Sequence, residues 1–79
     1  MKTYEPSEKD KANIENNFKY HAPVSGQPEK YETIRAEAKK FAELLIALCP
    51  PSRELSVAIT ELETSVFWAN AAIARNEKE

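Results

Sequence analysis

Leu45-Ile46-Ala47-Leu48-Cys49-Pro50-Pro51-Ser52-Arg53-Glu54-Leu55 is the stretch on which the fold turns. Neither Pro50 nor Pro51 can extend a helix arriving through Leu48, because proline lacks the N–H donor and its ring clashes with the preceding turn. Ser52 is an N-cap candidate, and Glu54 sits in the first turn, where a carboxylate meets the positive end of the helix dipole. One helix thus stops and another starts within a few residues. So short a connection forces the two to fold back antiparallel as an αα-hairpin.

Upstream, the pattern predicts a helix from about Pro28 to Leu48, with proline pre-organised at its first position. Its apolar positions, Tyr31, Ile34, Ala38, Phe41, Leu45 and Leu48, alternate steps of three and four. That is a heptad seam. Downstream of Ser52, Leu55, Ile59, Leu62, Val66, Ala69 and Ile73 repeat the pattern in the opposite phase. Ahead of both helices, Ser7 and Asp10 have the spacing of a capping box, which predicts a short helix from about Glu8 to Asn17. That helix has little apolar surface beyond Ile14 and Phe18. The segment Tyr20–Gln27, carrying Pro23 and the single glycine, Gly26, reads as extended. The expected organisation is a polar N-terminal segment over 1–15, a hairpin over 16–76 and a polar tail over 77–79.

Composition narrows the class further. The chain has 79 residues, 42% hydrophobic and 30% charged, with one cysteine, Cys49. A chain of this length buries only about 60% of its unfolded surface. One cysteine cannot form an intrachain disulfide, and no metal-ligand cluster accompanies it. The lone glycine leaves no inventory of hairpin turns, which argues against an all-β fold. The expected class is all-α, with subunit association completing a thin core. No apolar run reaches the ~18 residues of a membrane span, and no secretory-type segment opens the sequence. The unpaired thiol suits a reducing cytosol.

The second helix has a further stripe outside its seam. Phe67, Ala71 and Ala74 lie on one flank, Trp68 and Ala72 on the other, with no charge between Thr64 and Ala74. Either the N-terminal segment folds over it, or Phe67, Trp68, Ala71 and Ala72 pack against other subunits. An isolated chain would otherwise expose a sticky patch.

No catalytic constellation is visible. His21 is the only histidine and has no paired nucleophile, and there is no glycine-rich phosphate loop and no zinc motif. An enzyme is not expected, and neither a metal nor a cofactor is called for. The net charge of −2 argues against a nucleic-acid polymer as partner. Positive charge concentrates in the first half: residues 1–40 hold eight basic groups and 41–79 only three. What the chain offers is chemistry for a small phosphorylated ring, which needs cations for phosphates and flat side chains for bases. Tyr20 and His21 precede the first long helix, Arg35 and Lys39 lie on one flank of it, and Arg75 closes the second. Each has a plainer explanation. His21 suits a packing or hydrogen-bonding role, Arg35 can pair with Glu32, Lys39 can be a solvated face, and Arg75 can complement the helix C-terminal dipole. Asn70, flanked by alanines, needs a partner if buried.

Two strings add a resemblance. Asn17-Phe18-Lys19-Tyr20-His21-Ala22-Pro23 precedes Gln27-Pro28-Glu29-Lys30-Tyr31-Glu32-Thr33-Ile34-Arg35. Pro51-Ser52-Arg53-Glu54-Leu55-Ser56 leads into Trp68-Ala69-Asn70-Ala71-Ala72-Ile73-Ala74-Arg75-Asn76. Over about residues 16–76 they resemble the hairpin domain shared by phage anti-CBASS and anti-Thoeris sponge proteins. The resemblance implies a homohexamer acting in the host bacterial cytoplasm. It also implies binding without cleavage of cyclic dinucleotides, cyclic trinucleotides or cyclic ADP-ribose isomers, which keeps immune effectors inactive. Tyr20 and Arg35 match the family's tyrosine and basic residue of the dinucleotide pocket, for base stacking and phosphate contact. Relatives often carry lysine at the Arg35 position, and some carry an arginine at the Ala71 position, a departure that bears on a second, trinucleotide pocket. A different class of function, an adaptor docking on a host protein through Phe67 and Trp68, is the alternative.

Overall fold

The computed structural model describes residues 1–77 as three helices with no strand among them. The expected tail over 77–79 lies, but for Glu77, outside the described residues. Helix α1 spans Glu8–Asn17, α2 spans Gln27–Leu48 and α3 spans Arg53–Asn76. At 1.5 Å per residue, α2 and α3 are about 33 and 36 Å long.

Local chemistry sets each boundary. At α1 the capping box closes in both directions: the Ser7 hydroxyl accepts from the Asp10 N–H at 3.0 Å, and the Asp10 carboxylate accepts from the Ser7 N–H at 3.3 Å. Helix α2 begins after Gly26, whose φ of +85° lies in the left-handed region that favours glycine. The Gln27 N–H reaches back to the Val24 carbonyl at 3.1 Å, closing the turn. Cys49, half-buried, ends α2, and the Ser52 hydroxyl caps α3 by accepting from the Leu55 N–H at 3.1 Å. Arg75 occupies the last turn of α3, where a cation complements the dipole.

Helices α2 and α3 pack against each other along most of their length, as the Pro-Pro-Ser connection requires. All six expected seam positions of α3 are half-buried. On α2 the seam departs from a strict heptad. Phe41 and Leu48 are 50% and 73% exposed, while Ala42 and Cys49 take the inward positions. The inward set Tyr31, Ile34, Ala38, Ala42, Leu45 and Cys49 advances eighteen residues in five turns. That is the 3.6-residue period of a straight helix, so a 3.5-residue pattern drifts off the contact line.

The molecule is one helix layer thick. Its Cα extents are 49 × 42 × 14 Å and its radius of gyration is 17.4 Å, against about 12 Å for a compact chain of this length. No hydrophobic side chain is fully buried among the described residues. The single buried residue among those described is polar, Gln27. The N-terminal segment covers the α3 stripe only at its end. Asn16 Nδ2 donates to the Arg75 carbonyl at 3.1 Å, yet Phe67 and Trp68 remain 68% and 64% exposed. No helix among the described residues is long and apolar enough to cross a membrane.

Candidate ligand-binding site

Arg35 and Lys39, one turn apart on α2, stand on one wall of a groove of about 250 Å³. The floor is apolar, formed by Ala38 and Ala42 of α2 with Ile59, Leu62 and Val66 of α3. The far side brings Phe67, a flat ring, and Glu63. The groove exists because alanines at 38 and 42 keep the α2 wall shallow where α3 supplies branched side chains. Arg35 makes no ion pair with Glu32. The ion pairs among the described residues are Lys11–Glu8, Lys30–Glu77 and Lys40–Glu37. Lys39 is exposed, as a solvated face would be. Two cations across an apolar groove from an aromatic ring can hold phosphate oxygens and stack a base.

Tyr20 and His21 do not line this groove. Tyr20 is 84% exposed, and the His21 ring is half-buried with Nε2 hydrogen-bonded to the Asn16 carbonyl at 2.7 Å. His21 thus has the hydrogen-bonding role that its plainer explanation expected. Arg75 belongs to a second cleft of about 250 Å³ with Trp68, Ala71 and Ala72, closed by Asn13, Asn16 and Asn17 of α1. Its guanidinium lies 6.0 Å from the Trp68 ring centroid, a cation–π distance. Asn70 is half-buried, and its Oδ1 is enclosed without a hydrogen-bond partner. The structure therefore pairs Arg35 with Lys39 and gathers Arg75 with Trp68, Ala71 and Ala72, while Tyr20 stands apart from both groups.

Two residues that tie the start of α2 to the end of α3 carry no periodic signal in the sequence. Gln27 bridges the turn and α3, accepting from the Val24 N–H at 3.0 Å and donating to the Ile73 carbonyl at 3.4 Å. Glu77 receives a hydrogen bond from the Lys30 ammonium. That bond holds its carboxyl below the usual carboxylate range, against opposing desolvation, with help from Gln27 and the Lys30 charge. Among the described residues no group of three or more histidines, cysteines or acids is placed to hold a metal.

The family model described as the Acb2/Tad1 hairpin domain matches residues 10–74. The chain belongs to the Acb2/Tad1 hairpin family. The match runs from α1 to the last turn of α3, so it includes Tyr20, His21, Arg35, Lys39 and Asn70 and stops one residue short of Arg75. This hairpin is the domain of the anti-CBASS and anti-Thoeris sponge family, whose members bind and sequester cyclic nucleotides rather than transform them. Neither the comparison with curated proteins nor that with solved structures yields a match.

Proposed function

We propose that this chain is a phage immune-evasion protein that sequesters a cyclic nucleotide messenger, foremost a cyclic dinucleotide, without cleaving it, in the host bacterial cytoplasm. Cyclic trinucleotides and cyclic ADP-ribose isomers are the other ligand classes of this reading. The observation that carries it is the Arg35/Lys39 pair lining one groove with Phe67, on a hairpin of the sponge family. In this reading Arg35 and Lys39 contact phosphate, and Tyr20, apart from them within one chain, stacks on a base of a ligand held between subunits. His21 orients the Tyr20 segment, and Asn70 or Arg75 adds polar contacts from a neighbouring subunit.

The apolar floor of the groove and the exposure of Phe67 and Trp68 favour a site shared between chains. A second chain seated on Phe67, Trp68, Ala71 and Ala72 supplies the missing wall and covers the apolar stripe. A homohexamer is the assembly proposed. Inhibition by such a protein is stoichiometric, so slow release matters more than turnover.

Calorimetric titration with a panel of cyclic di- and trinucleotides and cyclic ADP-ribose isomers tests the reading, with chromatography of the recovered ligand. Saturable heat with at least one of them, and its recovery intact, is the expected result. No heat with any member overturns it. The exposure of Phe67 and Trp68 also supports a second reading, an adaptor docking on a host protein through that face. A monomer that takes up a hydrophobic dye and binds no cyclic nucleotide would favour the adaptor.

A further inference from the structure

Gln27 combines two properties that rarely meet. It is only 2% exposed, while no hydrophobic side chain among the described residues is fully buried, and both ends of its amide are used. Oε1 faces the Val24 N–H, a donor, and Nε2 faces the Ile73 carbonyl, an acceptor. The orientation of the amide is therefore forced. A leucine would satisfy neither partner, and an ionised glutamate could not donate to the carbonyl. Burying an amide is costly unless both groups are paired, so the position demands this side chain for what it joins.

What it joins is the Tyr20 segment and the end of α3. The Gln27 N–H also donates to the Val24 carbonyl at 3.1 Å, so residues 24 and 27 are doubly linked across Gly26. At the other end of the segment, His21 is bonded to the Asn16 carbonyl, and the Asn16 amide donates to the Arg75 carbonyl. Residues 16–27 are thus held at both ends on the last turn of α3, and Tyr20 projects between the two anchors, 84% exposed. An exposed ring offered for stacking loses less freedom on binding when its backbone is already fixed.

We propose that Gln27 is a positioning residue for the ligand. By fastening the 24–27 turn to the Ile73 carbonyl, it fixes the segment that presents Tyr20, and affinity depends on it although it is too buried to touch the ligand. This rests on the reading of Tyr20 as a stacking residue.

The test pairs hydrogen exchange with calorimetry, using the full chain and the cyclic GMP–AMP dinucleotide and cyclic di-AMP as probes. Gln27→Leu is expected to speed amide exchange over residues 18–26 at least tenfold. Exchange at the centres of α2 and α3 should stay unchanged, and the affinity should fall at least tenfold at a temperature where the chain is fully folded. Tyr20→Ala is expected to lose affinity without speeding that exchange, the signature of a residue in direct contact. Should Gln27→Leu not fold, Gln27→Glu serves instead. Its protonated acid both accepts and donates, so its affinity relative to wild type should recover on acidification. The ionisable groups around it are Glu77, which Gln27 also contacts, Lys30 on Glu77 and His21 on Asn16, so wild type is measured over the same pH range as the control. A loosened segment with unchanged affinity, or an unchanged segment, overturns the role of Gln27 and leaves the sponge reading standing. A wild-type chain that binds neither probe nor any other cyclic nucleotide overturns both.

Discussion

The Lys30 ammonium is hydrogen-bonded to the Glu77 carboxylate across 47 residues of sequence, tying the first turn of α2 to the residue that ends α3. Because the bond holds the Glu77 carboxyl below its ordinary value of 4.5, folding is favoured while that group is charged. The contribution is present above pH 4.5 and is lost as pH falls through the lower folded-state value. Thermal unfolding of wild type and Lys30→Met should therefore differ at pH 7 and converge on acidification. Identical midpoints at pH 7 would remove this tie from the account.

Gly26 is the one residue with positive φ among those described, and a Cβ added there would meet nothing within 4 Å. The penalty of substitution is then conformational alone. Gly26→Ala should cost about 1–2 kcal/mol, the left-handed penalty for an L-residue, and Gly26→Asn less. Denaturant unfolding checks this. An Ala variant as stable as wild type would mean the turn is not held as described.

Tyr20→Ala should weaken ligand binding by about 1–3 kcal/mol, the worth of stacking one base on an aromatic ring. Arg35→Ala should do at least as much, while Arg35→Lys should retain part of the affinity, since a point charge replaces a bidentate fork. Both side chains are exposed, so the helix content by circular dichroism should not change. Calorimetry on the three variants decides, and full affinity in Arg35→Ala would move the phosphate contact elsewhere.

Phe67 and Trp68 are the large exposed side chains on the α3 stripe. Phe67→Glu with Trp68→Glu places two charges where chains are proposed to meet, and should reduce the particle to smaller species by light scattering. An unchanged mass would exclude this face as the interface.

Much of the architecture was legible in short-range chemistry. Ser7 with Asp10 marked α1, and Pro50-Pro51-Ser52 marked the reversal, because capping and chain-breaking act within a turn. The α2 seam was legible only in part. Phe41 and Leu48 fit a heptad, but a straight helix advances at 3.6 residues per turn and turns them outward. Gln27 was hidden because its burial follows from the Gly26 turn meeting α3, a contact between distant segments that no period encodes. Arg35 and Lys39 share a flank by their spacing alone. Their groove needed the facing alanines and Phe67, and the link to Tyr20 came from the resemblance.

Native mass measurement of the chain, alone and with cyclic GMP–AMP, decides whether it is an assembled sponge. The expected result is a multi-subunit particle, six copies of the 9.0 kDa chain, gaining a whole number of unaltered ligand masses and releasing them intact on denaturation. A monomer with no ligand mass bound, or release of a linearised nucleotide, would contradict it.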